Sequence, residues 1–262
     1  MIDPRFPLIA NNGFLPEPFG VNEYLSVVKP LGIAGGAVVS GSFQGFDQSY
    51  LLDALAKLGP GFVGVTQLPA SVTDEELDAL NAAGVRALRF NLKRGGSEQL
   101  DQLEALALRV HERVGWHVGG SEQLDQLEAL ALRVHERVGW HAELYIDSRE
   151  LADIETRLHK LPAISIDHLG LSAEGLPSVL RLAERGAKIK ACGFGRVDFP
   201  VREALRDIYA ANPNALMFGS DLPSTRAPRP FQADDVDLLI DALGEHGARQ
   251  ALWDNAAQFY RL

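Results

Sequence analysis

Short apolar runs alternate with longer amphipathic stretches along the sequence, from about residue 35 to the C-terminus. The runs are rich in Val, Ile, Ala and Phe, which is typical of β-strands, and the stretches between them have helical periodicity. The predicted strands are Gly36–Ser42, Gly61–Gln67, Val85–Leu92, His141–Asp147, Ile164–Gly170, Ala187–Phe194 and Ala215–Asp221. The predicted helices include Asp47–Leu58, Asp74–Ala83, Arg149–Lys160, Leu176–Arg185 and Val201–Ala211.

Alternation of strands and helices predicts right-handed βαβ units and a parallel sheet. We therefore expect a (β/α)8 TIM barrel in one domain, 1–262, which is a normal length for that fold. Its first strand is expected to be truncated, since only Ile2-Asp3 stands where that strand would end. The Pro- and Gly-rich segment Pro4–Gly20 would then cover the barrel mouth. A doubly wound open sheet is the alternative, but no Gly-rich phosphate loop follows an early strand.

One helical segment is duplicated in tandem. Gly95–Val118 and Gly119–Ala142 are identical at 23 of 24 positions, and each carries an apolar stripe at helical spacing. We predict that the second copy fills the helix slot before the strand that begins at His141, because it runs directly into that strand. The first copy would be extruded, although the reverse assignment stays open. An exposed apolar stripe favours association, so a homo-oligomer is one expected outcome.

Composition excludes several classes of function. The net charge of −10 argues against a nucleic-acid partner, which needs a basic surface, but a few local arginines could still hold a small anion. The single cysteine, Cys192, rules out a disulfide within the chain. No apolar run approaches the length of a membrane span and no signal peptide opens the chain, so we expect a cytoplasmic protein without a membrane partner.

Polar side chains stand at the predicted C-terminal ends of several strands. Asp221 follows the last apolar strand, His168 follows another, and Arg196 comes just after a third. Strand alternation also places Arg89 and Tyr145 on inward rows that lead toward the same end. Each has a structural explanation on its own, but the C-terminal end of an α/β barrel is where catalytic residues converge. Together they predict one cleft.

These groups suit attack of water on an anionic ester or lactone. Asp221 would take the proton of the water as general base, and His168 would orient or polarise the carbonyl. Arg89 and Arg196 would bind substrate carboxylates, since a guanidinium can do so with two hydrogen bonds. We expect Cys192 to be a packing residue. The segment Val38–Ser42 does not match the G-x-S-x-G elbow of a serine esterase.

Several segments resemble the amidohydrolase superfamily, in the branch of 2-pyrone-4,6-dicarboxylate hydrolase and related lactonases. The resemblance covers nearly the whole chain and rests mainly on Val85–Asn91, Trp140–Leu144, Ile166–Gly170, Lys190–Arg196 and Gly219–Pro223. It implies a (β/α)8 hydrolase in which Asp221 activates water and His168 assists at the carbonyl. It also implies that Arg89 and Arg196 bind substrate carboxylates, with Tyr145 and Arg94 as weaker candidates for substrate binding.

The chain departs from the family pattern in one respect that bears on activity. The family has a His-x-His strand before the segment that matches Ile2-Asp3, and no His-x-His occurs here, so we expect impaired activity. A divalent metal such as zinc is compatible with the superfamily, and His168 and Asp221 would hold it, but we commit to no cofactor. Two alternatives stay open, a non-catalytic barrel remnant and a metal-dependent amidohydrolase or decarboxylase.

Overall fold

The computed structural model describes residues 1–11, 13–93 and 121–262, of which 121–123 are described by their backbone alone. All seven predicted strands are present. Each ends one to four residues before its predicted C-terminus, because the polar residues there lie in turns and loops. The strands are β1 Gly36–Val39, β2 Phe62–Thr66, β3 Val85–Asn91, β4 His141–Tyr145, β5 Ile164–Ile166, β6 Lys188–Ala191 and β7 Leu216–Phe218.

The five predicted helices are also present, each within two residues of its predicted bounds. Thr73 illustrates why one of them begins where it does, since its hydroxyl accepts a hydrogen bond from the backbone N–H of Glu76 and caps the helix. The helices of the described residues are α1 Val21–Val28, α2 Ser49–Leu58, α3 Asp74–Ala82, α4 Ser121–Val138, α5 Leu151–Leu158, α6 Leu176–Glu184, α7 Val201–Ala211, α8 Asp234–Arg249 and α9 Asn255–Tyr260.

The order of the strands in the sheet decides between the two predicted architectures. Every strand pairs in parallel with its neighbours in sequence, in the order β1-β2-β3-β4-β5-β6-β7. A doubly wound sheet would reverse its strand order at a switch point, so that alternative is wrong. The sheet is consistent with a TIM barrel. Within the described residues, the outer edges of β1 and β7 pair with no other strand, and the truncation of a first strand stays a prediction.

The second copy of the duplicated segment supplies α4, which packs on α3, β3 and β4. Leu130, Ala131 and Val134 are buried on its inner face. The helix ends at Gly139, whose φ of +70° suits glycine. The first copy, 95–118, lies outside the described residues, so its extrusion and any association through its apolar stripe stay predictions.

Part of the N-terminal segment lies against the loop that follows β7. The backbone N–H of Ile9 donates to the carbonyl of Phe43 at 2.8 Å, which holds the segment near the end of β1. Arg226 donates to Asn11 Oδ1 at 3.0 Å and stacks on the ring of Phe14 at 4.2 Å. None of the described helices is both long enough and apolar enough to cross a bilayer.

Candidate active site

A cavity of about 540 Å³ begins at the C-terminal ends of the strands and runs along the edges of β1 and β7. Five of the residues predicted for the site line it, and one of them, Arg89, belongs to the charged network beneath the mouth. The four near the mouth are Tyr145, His168, Arg196 and Asp221. The cavity wall is apolar on one side, where Val39 and Met217 contribute. The cleft therefore combines an apolar wall with a polar mouth, as ligand sites commonly do.

Asp221 lies three residues beyond β7 and is held by an ion pair. Its Oδ2 accepts from Nε of Arg196 at 2.7 Å, and its Oδ1 lies 4.0 Å from Nε2 of His168. Arg196 also donates through Nη2 to the carbonyl of Thr225 at 2.9 Å, which fixes the guanidinium. One carboxylate oxygen is thus occupied by Arg196, while the other faces the imidazole.

His168 follows β5 in a turn with unusual backbone geometry. His168, Leu169, Gly170 and Leu171 all have positive φ, at +51°, +52°, +83° and +71°. Left-handed geometry costs a non-glycine residue about 1–3 kcal/mol and persists where surrounding packing enforces it. Leu169 is fully buried and Leu171 nearly so, which supplies that packing. Asp221 also has a positive φ, +55°, so both central residues of the cleft sit on strained backbone, as is common at functional sites.

The imidazole of His168 is enclosed on several sides. Sγ of Cys192 lies 3.2 Å from Nδ1, and the ring of Tyr145 meets the imidazole edge to face at 5.3 Å. A side chain at Gly193 would place a Cβ 2.6 Å from Nδ1, so only glycine fits there. Burial lowers the pKa of His168, with the Asp221 carboxylate opposing that shift. The ring is therefore neutral at pH 7 and can donate a hydrogen bond to a carbonyl.

Beneath the mouth, three buried charged residues and the partly buried Lys190 form a network that we call the charge quartet, Arg89, Glu143, Asp167 and Lys190. Nη1 of Arg89 lies 2.5 Å from Oε1 of Glu143 and 2.7 Å from Oδ2 of Asp167. Nζ of Lys190 pairs with Oε2 of Glu143 and lies 3.3 Å from Oδ1 of Asp167. The hydroxyl of Tyr260 donates to Glu143 at 3.2 Å. Two positive and two negative charges thus neutralise one another inside the barrel.

Burial opposes charge on Lys190, Asp167 and Arg89, and their partners overcome it. Burial alone would lower the pKa of Lys190, but Glu143 and Asp167 hold it well above its usual value. Burial would likewise raise the pKa of Asp167, yet Arg89 and Lys190 keep it well below the usual range. The same two carboxylates raise the pKa of Arg89 against burial.

The charge quartet makes Arg89 a weaker candidate for binding a substrate carboxylate than Arg196. Arg89 lines the cavity and lies over the ring of Tyr145 at 5.6 Å, yet its charge is balanced by two carboxylates. Arg196 stands nearer to Asp221 and is the better candidate for contacting substrate. Binding of a substrate carboxylate by Arg89 stays a prediction, as do the roles of Arg196 and Tyr145. Arg94, the remaining candidate, lies outside the described residues.

Sequence reasoning missed three members of the charge quartet, namely Glu143, Asp167 and Lys190. A signal for two of them was present, because Glu143 and Lys190 lie within buried parallel strands, where apolar residues are expected. A charged residue in such a place needs a partner. The identity of the partners depends on strand register, which pairs Arg89 with Glu143.

The residues named for a metal do not form a zinc site. His168 and Asp221 offer two donors 4.0 Å apart, and Arg196 already occupies the other oxygen of Asp221. Zinc sites in proteins use three or four protein ligands. The described residues contain no group of three or more His, Cys, Asp or Glu side chains that could hold a metal ion.

His141 gives a prediction of pH dependence. It begins β4, on the same row as Tyr145 but away from the mouth, and packs on the rings of Phe259 and Tyr260 at 4.0 and 4.9 Å. Burial lowers its pKa well below 6.5, whereas the unfolded chain binds the proton near 6.5. Acid therefore favours the unfolded state. We expect the free energy of unfolding to fall below pH 6.5, by up to about 1.4 kcal/mol per pH unit for this residue.

Urea unfolding at a series of pH values measures this dependence. His141→Gln should flatten the slope, whereas His246→Gln, at an exposed position, should keep it. An unchanged slope in His141→Gln would contradict the assignment.

The sequence is also similar to that of known proteins. The family model described as Amidohydrolase matches residues 1–262. A 2-pyrone-4,6-dicarboxylate hydrolase of Comamonas testosteroni is 30% identical over 116 residues, 44% of this chain and 38% of that protein. The D-galactarolactone isomerase of Agrobacterium fabrum (strain C58) is 24% identical over 281 residues, 99% of this chain and 88% of that protein.

The fold is shared with a solved structure. The apo crystal structure of ATU3138 from Agrobacterium tumefaciens aligns with a TM-score of 0.78 at 22% identity, over 100% of this chain and 93% of that one. The match to the Comamonas hydrolase, by contrast, spans less than half of that protein's length. Because the family match extends over every residue of the sequence, the protein belongs to the amidohydrolase family.

Proposed function

We propose that the protein is a hydrolase that opens a lactone or cyclic ester of a small anionic substrate, with water activated by Asp221. The observation that carries the proposal is the pairing at the cavity mouth. One oxygen of Asp221 is tied to Arg196 at 2.7 Å, and the other faces His168 Nε2 at 4.0 Å. That arrangement leaves one carboxylate oxygen available to accept a proton. The named relatives, a lactone hydrolase and a lactone isomerase, support the substrate class.

The geometry accommodates the reacting water. A water that donates to Asp221 Oδ1 at about 2.8 Å can lie beside the imidazole, whose Nε2 is 4.0 Å from that oxygen, and the proton on Nε2 stays available for the substrate carbonyl. As the water oxygen bonds to the carbonyl carbon, Oδ1 takes its proton. The tetrahedral intermediate then expels the ring oxygen, which receives that proton from Asp221. The product is the open hydroxy acid, and Asp221 is again a carboxylate.

His168 assists by donating a hydrogen bond and does not gain or lose a proton during the reaction. Its pKa is lowered by burial, so it enters the reaction neutral. A proton on Nε2 would donate to the carbonyl oxygen as that oxygen gains negative charge. Donors aimed at developing charge in a water-poor site are a major source of rate acceleration.

Arg196 links substrate binding to the base. Nε and Nη2 are committed to Asp221 and Thr225, while Nη1 forms no hydrogen bond to the residues that the structure describes. A substrate carboxylate at Nη1 would lie beside the reacting water. Tyr145, and in a lesser role Arg89, would complete the pocket from the opposite wall, and Arg94 is a further candidate from sequence.

A non-catalytic barrel is the principal competing function, because the chain contains no His-x-His. A metal-dependent amidohydrolase or decarboxylase is less well supported, since the described donors do not form a zinc site. Assays with 2-pyrone-4,6-dicarboxylate and D-galactarolactone, followed by NMR of the products, separate these functions. Ring opening supports the hydrolase, a rearranged lactone indicates an isomerase, and no turnover of any lactone indicates a non-catalytic barrel.

The preference for anionic substrates can be tested at Arg196. We expect Arg196→Gln to raise KM for a dicarboxylated lactone by about tenfold or more, because a charge-assisted hydrogen bond is lost. Arg196→Lys, the matched control, should recover part of the loss since the charge is kept. Steady-state kinetics on the dicarboxylated lactone and on neutral δ-valerolactone measure the effect. Equal kcat/KM for both lactones in the unmodified protein would contradict an anionic substrate.

A further inference from the structure

We propose that Cys192 is a positioning residue whose thiol fixes His168 in the tautomer that carries its proton on Nε2. The inference deepens the proposed function, because that proton is the one that would face a substrate carbonyl. Sequence reasoning expected Cys192 only to fill space. The structure places its sulfur 3.2 Å from Nδ1 of His168, within hydrogen-bond reach for sulfur.

The surroundings of the ring make this contact specific. Cys192 is buried and lies just beyond the end of β6, so its position is set by the sheet. The absent side chain of Gly193 lets the backbone approach Nδ1, and Tyr145 meets the ring edge to face at 5.3 Å. The imidazole therefore has little freedom to turn away from the sulfur. In the described residues, the thiol is the one side-chain group within hydrogen-bond reach of Nδ1.

The other ring nitrogen decides the direction of the hydrogen bond. Nε2 faces Oδ1 of Asp221 at 4.0 Å, and a carboxylate can only accept. A proton on Nε2 is attracted to that oxygen, whereas a lone pair there would be repelled by it. A neutral imidazole carries a single N–H, so Nδ1 is then the acceptor. A neutral thiol can donate to it, and burial further raises the pKa of Cys192 and keeps the thiol protonated.

Two independent contacts thus favour one tautomer. Asp221 attracts a proton to Nε2 from one side of the ring, and Cys192 supplies a donor to Nδ1 from the other. A group that hydrogen-bonds to one nitrogen of an imidazole determines which nitrogen carries the proton and can donate it. Without the thiol, Nδ1 would be left without a donor and could compete for the proton.

The tautomer can be measured directly, without substrate. We would label the histidines with nitrogen-15 and record long-range proton–nitrogen spectra near pH 7, assigning the His168 signals by their loss in His168→Gln. We expect the pattern of a proton on Nε2 in the unmodified protein and in Cys192→Ser, which keeps a donor. In Cys192→Ala we expect an averaged pattern from both tautomers. A proton on Nδ1 in the unmodified protein, or an unchanged pattern in Cys192→Ala, would overturn the proposal.

Kinetics separate this role from simple packing. We expect Cys192→Ala to lower kcat for lactone opening by about tenfold with little change in KM, and Cys192→Ser to lose less. If Cys192→Ala does not fold, its amides lose protection in hydrogen exchange. The kcat of Cys192→Ser is then compared with that of the unmodified protein. If no variant turns over any lactone, the proposed function fails, while the spectra still decide the role of Cys192.

Discussion

Asp221→Asn is expected to lower kcat/KM for lactone hydrolysis by about a thousandfold, which is within the range for loss of a general base. The amide keeps the size of the side chain, and its oxygen can still accept from Nε of Arg196, which lies 2.7 Å from Asp221. It cannot, however, take a proton from water. Steady-state kinetics on the best substrate of the lactone panel measure the effect.

Asp235→Asn is the matched control for this variant. Like Asp221, Asp235 pairs with an arginine, Arg229, at 2.7 Å, but it is buried and does not line the cavity. Activity should therefore stay close to that of the unmodified protein in Asp235→Asn, even if stability falls. Retained hydrolysis in Asp221→Asn would remove Asp221 from the mechanism.

Removing one charge of the charge quartet should strongly lower the free energy of unfolding. In Glu143→Gln, Arg89 and Lys190 would share the single remaining carboxylate of Asp167, so one buried positive charge is left uncompensated. Breaking a buried ion pair in this way costs about 3–5 kcal/mol. Urea unfolding at neutral pH measures the change in the free energy of unfolding.

Two further variants show whether charge balance is the cause. Glu143→Gln combined with Lys190→Met removes one charge of each sign, so the double variant should be more stable than the sum of the single losses indicates. Asp78→Asn breaks an exposed pair with Arg137 at 2.5 Å and should cost far less. If Glu143→Gln destabilises the protein no more than Asp78→Asn does, the charge quartet does not stabilise the barrel.

Much of the fold could be predicted from the sequence because its signal is local. Each strand shows as a short apolar run, and alternation along the strand places Tyr145 on the inward row. The C-terminal ends of parallel strands meet at one edge of the sheet, so the sequence alone predicts that Asp221, His168 and Arg196 share one cleft. The duplicated segment shows the limit of local information. Two copies that differ at one position predict the same helix, and nothing within them says which one occupies the slot.

The charge quartet and the orientation of His168 depend on contacts between residues far apart in the chain. Arg89 and Glu143 are 54 positions apart and become partners through the register of β3 and β4, which apolar periodicity does not specify. The left-handed turn at His168 contradicts local backbone preference and is held by the packing of buried leucines. Strand patterns could thus indicate which groups point toward the cavity. Which charges neutralise one another, and which nitrogen of His168 faces Asp221, required the strands to be packed together, because both depend on distances across the barrel.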